Sequence, residues 1–184
     1  MTLSYANGPS SQPLIGETIG ENLERTAARF PDHDALVSCH QNRRYTYAEF
    51  NAAVDEVARG LLALGLEVGD RIGIWSPNCA EWVLVQNATA KAGVILVNIN
   101  PAYRTSELAY ALNQSGCRMI IAAPSFKTSD YAAMIEEVRP DLKALENVIL
   151  LGSPEWEQLI AGAASVPDDA LRERMGLTGK YGVQ

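Results

Sequence analysis

The sequence predicts an α/β domain built on a doubly wound, mostly parallel sheet with flanking helices and a short antiparallel hairpin near the N-terminus. Three observations predict it. Short apolar runs of strand length alternate with segments of helical period. Several runs are continuously Ile, Val and Leu rather than alternating with polar residues, as in strands covered on both faces. The links between them are short and carry Gly, Pro or Asn. Strand and helix alternating in this way is the pattern of βαβ units.

The elements follow in order. Residues 1–15 are rich in Ser, Pro, Gly and Asn and read as a loosely held arm, leaving 16–184 as the α/β body. Thr18 and Glu21 form a capping box for a first helix, with Leu23, Ala27 and Phe30 on one face and Pro31 as its stop. In "ALVSCHQNRRYTY" (35–47), two β-prone runs flank a polar turn at His40, Gln41 and Asn42, which predicts the hairpin. His33 and His40 then sit in solvated loops. Thr46 and Glu49 cap the longest helix, along which Phe50, Val54, Val57, Leu61 and Leu64 recur at helical spacing before Gly65. "RIGIWS" (71–76) is a strand. Asn78, with Glu81 three residues on, is the expected cap of a helix running to about Lys91 and ending at Gly93. "VILVNI" (94–99) is a second strand, expected to be buried on both faces. A helix from about Thr105 ends at Gly116, and "RMIIAA" (118–123) is a third strand. A helix from about Ser129 to Val138 stops before Pro140, and "NVILL" (147–151) is a fourth strand. A helix around Trp156 to Ala161 follows, and the remainder is polar without a further strand.

The net charge of −7 argues against a nucleic-acid or anionic-membrane surface, which would need clustered Lys and Arg. No apolar run is long enough to span a bilayer, and the first 16 residues lack the basic start and apolar block of a secretory signal. Cys39, Cys79 and Cys117 have neither disulfide nor zinc spacing and are expected to be buried free thiols in a reducing, cytoplasmic setting. Ligands of α/β sheets bind at the strands' carboxyl ends. Those ends are "WSPN" (75–78), "NINPAYR" (98–104), "AAPS" (122–125) and "LGSP" (151–154), all polar and all with Pro. No glycine fingerprint, nucleophile elbow or metal-spaced His pair accompanies them. "TGK" (178–180) lacks the earlier Gly and following Ser or Thr of a phosphate loop, because Arg174 and Tyr181 stand there.

Three segments in order carry a resemblance. They are "RRYTYAEF" (43–50), "GLEVGDRIGIWSPNCAEWV" (65–83) and "KAGVILVNINPAYRTSELAYALNQSGCRMII" (91–121). Together they resemble the adenylate-forming acyl-CoA synthetases, and the Asn-Pro-x-Tyr-Arg form at 100–104 is most similar to the fatty-acyl-CoA synthetases among them. The resemblance implies a parent that activates a fatty acid with ATP and Mg2+ to an acyl-adenylate, then passes the acyl group to coenzyme A. It implies that this chain is an N-terminal subdomain, covering about the first third of a family member, and that the remainder of the synthetase chain is its partner. The family's phosphate loop, aromatic-Gly-x-Thr-Glu motif, ribose-binding Asp and C-terminal Lys are absent from this sequence. No catalytic residue, metal ligand or bound cofactor is therefore assigned to it, and the chain alone is expected to be inactive. Trp75, Asn78, Asn98, Asn100, Pro101, Tyr103, Arg104 and Glu107 fall on matched positions and are expected to be scaffold, with Arg104 and Glu107 a local ion pair. Of these, Asn98, Asn100, Pro101, Tyr103 and Arg104 are the candidates to line the substrate cleft. A fragment with an unpaired sheet edge is also expected to self-associate. The competing expectations are a stand-alone binding or regulatory module that kept the fold without catalysis, and a nucleotide-binding α/β domain of another class.

Overall fold

The computed structural model describes residues 8, 11 and 15–181, with side chains as far as Leu177. The expectation of a loose arm over 1–15 falls largely outside these residues.

Two helices begin as their capping boxes dictate. Thr18 opens α1 (Ile19–Arg29) and Thr46 opens α2 (Tyr47–Ala63); in each, the Thr side chain accepts from the Glu backbone N–H and the Glu carboxylate returns to the Thr N–H. Between them β1 (Asp34–Ser38) and β2 (Arg43–Thr46) pair antiparallel across a tight helical turn, with Asn42 left-handed at φ 50°. The sheet proper contains β3 (Arg71–Trp75), β4 (Ile95–Asn98), β5 (Met119–Ala122) and β8 (Asn147–Leu150), parallel throughout in the order β4-β3-β5-β8. The connecting helices are α3 (Ala80–Ala92), α4 (Thr105–Ser115) and α5 (Tyr131–Val138), followed by α6 (Pro154–Gly162) and α7 (Asp168–Tyr181). A two-residue hairpin, β6 (Ser125–Phe126) with β7 (Ser129–Asp130), precedes α5.

Strand alternation divides the core in two. Ile72, Ile74, Met119, Ile121 and Ile149 face a cluster built by α1, α2, α3, α6 and α7. Trp75, Ile120 and Ala122 face the other cluster, built by α4 and α5. Gly73 also lies on that second face; a Cβ there would stand 2.9 Å from Ile99 Cδ1 and 3.0 Å from Leu112 Cδ2, so the close approach needs glycine. The chain runs from β3 outward to β4, then returns across β3 to β5 and continues to β8. The crossover helix after β3 covers one face and the next two cover the other, as right-handed connections in opposite directions require. The strand order therefore reverses at β3 and β5, which makes their carboxyl ends the topological switch point.

The amino edge of the sheet is stapled by charge. Asp70, Arg118 and Glu146 each immediately precede a parallel strand, and Arg118 pairs with both acids. Lys91, fully buried at the end of α3, donates to Asp55 Oδ1 (2.6 Å), Asn51 Oδ1 (2.9 Å) and Glu24 Oε1 (3.3 Å). From α7, Arg174 donates to the carbonyls of Leu66 (3.0 Å) and Ala92 (3.4 Å), the latter closing the end of α3.

Several expectations are corrected. Phe30 and Leu64 are C-cap residues and exposed, each one position past the end of its helix and three past the last buried residue, Ala27 or Leu61. The N-cap of α3 is Cys79, not Asn78, and its side chain makes no capping bond. β4 is an edge strand rather than one covered throughout, with Ile95 41% exposed. Ser129 belongs to the β6–β7 hairpin, and Asp130 caps α5 by accepting from the Ala133 N–H. The polar tail contains a helix, α7, and the "TGK" run lies inside it, with side chains outside the described residues. Of the thiols only Cys117 is buried; Cys79 is half-buried and Cys39, on the hairpin turn, is exposed.

Candidate functional site

The carboxyl edge of the sheet collects the features that the sequence marked. β4 ends in Asn98, and the chain then turns through Ile99, Asn100 and Pro101 into α4. Asn100 shapes that turn: its Oδ1 accepts from the Ala102 N–H (2.9 Å) and its carbonyl accepts from the Tyr103 N–H (3.0 Å). The same carbonyl accepts from Trp75 Nε1 (3.0 Å), and the neighbouring Pro101 carbonyl accepts from the Tyr131 hydroxyl. Trp75 and Tyr131 are stacked, with centroids 3.6 Å apart and ring planes 9° apart, and both are fully buried. Burial pushes the Tyr131 hydroxyl up, so it stays a donor at neutral pH.

The cleft candidates therefore divide. Asn100, though exposed, and Pro101 are held by backbone and turn contacts, whereas Asn98, at the end of the edge strand, is exposed with no side-chain contact of that kind among the described residues. Arg104 is exposed, and its guanidinium donates to Ser129 Oγ (2.8 Å). No Arg104–Glu107 ion pair forms among the described residues; instead Glu107 Oε2 accepts from the Arg104 N–H (2.8 Å), which closes the first turn of α4. Tyr103 and Glu107 line an open groove of about 440 Å³ with Val97 and Tyr110, between β4 and α4.

A second depression, of about 240 Å³, lies at the switch point itself between the ends of β3, β5 and β8 and the hairpin tip. His40, Gln41, Asn78, Glu81 and Gly152 are among its walls. Gln41 explains the missing cap on α3. Its Oε1 accepts from the Ala80 N–H (2.7 Å), in place of a cap side chain, and its Nε2 donates to Glu81 Oε2 (2.8 Å). Arg43 completes the group with an ion pair to Glu81. Burial alone would push the Glu81 carboxyl up; donation from Gln41, a backbone N–H and the Arg43 guanidinium outweigh it and hold the group below the usual carboxylate range. Burial pushes the neighbouring Cys79 thiol up, which leaves little thiolate for nucleophilic work. Sequence reasoning missed Gln41 and Tyr131. Each acts on residues at least 30 positions away, and no local spacing signals that.

The arrangement positions and caps, and its one buried-edge carboxylate is already paired. Among the described residues no group of three or more His, Cys, Asp or Glu is placed to hold a metal ion.

Residues 23–176 match the family model described as "AMP-binding enzyme". The chain belongs to the AMP-binding enzyme family. Within it, the chain is 42% identical over 179 residues to the medium-chain acyl-CoA ligase ACSF2, mitochondrial, of Mus musculus, which covers 96% of this chain. The chain spans 29% of that relative's length. Among solved structures, a fatty acyl CoA synthetase of Mycobacterium tuberculosis superposes with a TM-score of 0.72 at 29% identity, covering 82% of this chain and 30% of that one. The N-terminal domain of FACL13 from the same organism gives a TM-score of 0.70 at 27% identity, covering 82% and 36%. This member of the AMP-binding family thus has the fold of the N-terminal part of an acyl-CoA synthetase. None of its described helices is long and apolar enough to cross a membrane.

Proposed function

We propose that this chain, with residues 16–184 as its folded body, is the N-terminal subdomain of an acyl-CoA ligase. The whole ligase would join a medium-chain or other fatty acid to coenzyme A at the expense of ATP, with Mg2+. The observation that carries the reading is the 42% identity to a medium-chain ligase across 96% of the chain. Identity at that level, with the same fold in synthetases, favours a shared reaction over a shared scaffold alone.

The residues present do not fit ATP or its metal. No strand leads into a glycine-rich turn, and Glu81 at one end of the sheet is engaged with Arg43, Asp70 and Glu146 at the other with Arg118. No catalytic step is therefore derived through those groups. What this chain supplies is one wall: Asn98, Asn100, Pro101, Tyr103 and Arg104 line the cleft of the whole enzyme, and the remainder of the synthetase chain contributes the groups that touch phosphate. Purified alone, the 184-residue chain should release no pyrophosphate from ATP when decanoate is added. Fatty-acid-dependent pyrophosphate release would overturn this division of labour. A Ser/Thr/Gly-rich loop ending in Lys, encoded shortly after Gln184, would support it directly.

The proposed chain is cytoplasmic and carries free thiols. The mouse relative is described as mitochondrial, and fractionation of the native host distinguishes the two. Self-association of the chain is proposed through the edge of β4. Ile95 and Ile99 turn their N–H groups to Asp70 and Ile74, so strand alternation turns the backbone groups of Leu96 and Asn98 outward. One observation favours the alternative, a free-standing module without catalysis: both faces of the sheet carry a complete apolar cluster.

A further inference from the structure

We infer that Trp75 and Tyr131 are positioning residues that together lock the turn between β4 and α4, so that the wall presented by residues 98–104 is held rigid by a buried ring stack. The bearing of this lock on substrate binding rests on the ligase reading above; the lock itself does not.

The two rings come from separate elements, the last residue of β3 and the first of α5. They meet 3.6 Å apart, fully buried, in the cluster under α4 and α5. Phenylalanine at either position would provide an aromatic face for that contact. What phenylalanine lacks is the polar tip, and both tips are spent on the same turn. Trp75 Nε1–H goes to the carbonyl of Asn100, and the Tyr131 hydroxyl goes to the carbonyl of Pro101. These are consecutive carbonyls in a segment with no ladder partner beyond Ile99, whose N–H reaches the Ile74 carbonyl (3.0 Å). A third contact falls on the same two bodies. Arg104 donates to Ser129, two residues before Tyr131, so the turn's far end is tied to the hairpin that leads into α5. The turn, the end of β3 and the start of α5 therefore move as one unit, and the exposed side chains of Asn98 and Arg104 take their placement from it.

Arg104 provides the readout. It is exposed and is followed by Thr105, so trypsin reports opening of this turn at a single bond. In Tyr131→Phe the stack remains and one hydroxyl is lost. Cleavage after Arg104 under native conditions should accelerate about three- to tenfold, the factor expected from losing one buried hydrogen bond. Ile149→Val, in the opposite cluster, serves as the control of comparable global stability by urea titration, and it should leave that cleavage rate unchanged. Trp75→Phe, which removes the other tip, should shift the rate in the same direction as Tyr131→Phe. The lock is overturned if cleavage after Arg104 in the two aromatic variants stays at the rate of the Ile149→Val control. The measurement uses the chain as it stands, without ATP or an acyl group. Its failure would remove the lock and leave the ligase reading to the pyrophosphate assay.

Discussion

Lys91 is the residue whose environment is most at odds with its chemistry, an ammonium with no exposed surface. Three oxygens surround it, from Asp55, Asn51 and Glu24, and the two acids are themselves 27% and 45% exposed. Removing Asp55 takes away the shorter of the two ion pairs and leaves the buried charge to Glu24 at 3.3 Å and Asn51, whereas replacing the lysine by a hydrophobe of similar length leaves only two partly solvated acids. Asp55→Ala is therefore expected to cost about 2–4 kcal/mol in urea unfolding, and Lys91→Met about 1 kcal/mol or less. The opposite order would show that the ammonium is not held by Asp55. Carboxylates carry the acid response. Glu21 and Glu49 are held below their usual pKa by the backbone N–H groups of Thr18 and Thr46, with the threonine hydroxyls adding to it. Glu81 is held low by the balance around Gln41 and Arg43. A carboxyl with a lowered folded pKa adds stability above the unfolded pKa, and that stability is lost as pH falls through the folded value. The urea midpoint should be level above about pH 6, begin to fall below it, and fall most steeply below about pH 4.3, the pKa of an unperturbed Glu. In Glu81→Gln the fall should be shallower; an unchanged slope would show that Glu81 is not among the groups responsible. The two threonine caps were readable because each bond spans three residues. Gln41 was not, because its partners lie 39 and 40 positions downstream and only the folded hairpin brings them together.

At the level of elements, the run-by-run alternation was enough to place every strand of the parallel sheet, since each strand is marked by its own composition. What composition could not mark was neighbourhood. "VILVNI" reads as doubly covered, yet β4 ends the sheet, because strand order is set by crossovers and not by apolarity. The helix α7 was missed for a related reason: its apolar contacts, Leu171 and Met175, are few within a charged segment, and packing against α3 stabilises it rather than its own periodicity. Close approach of helices is equally silent in the sequence. At Gly60 of α2 an added Cβ would stand 2.3 Å from the Leu159 carbonyl oxygen of α6. Because backbone cannot swing aside as a side chain can, Gly60→Ala should destabilise by about 1–3 kcal/mol despite its better helix propensity. A melting temperature equal to or above that of the parent would mean that α6 yields freely. The cleft candidates show the same divide. Asn100 and Pro101 were marked by turn chemistry, but the stack that holds them joins β3 to α5 and left no local trace.

For the whole molecule, the two ends of the sheet differ in kind. The amino end is closed by ion pairs just ahead of the strands, and the carboxyl end is open, polar and shaped by proline turns. That polarity matches an α/β sheet whose ligands meet the carboxyl end. If β4 is the associating edge, sedimentation of the chain should depend on concentration, and Asn98→Lys should restore a monomer by placing a charge on the outward edge. A parent chain that is monomeric at every concentration would instead favour the free-standing module. One feature of the amino end bears on how the molecule comes into being. Arg174 reaches back 108 residues to the Leu66 carbonyl and 82 to that of Ala92, and Leu171 and Met175 seat in the first cluster beside it. A ribosome making this chain will have released every strand before that closing helix emerges. Until it does, the chain carries an unsealed apolar floor, so chaperone capture should be strongest while the residues up to 167 have left the exit tunnel and α7 has not.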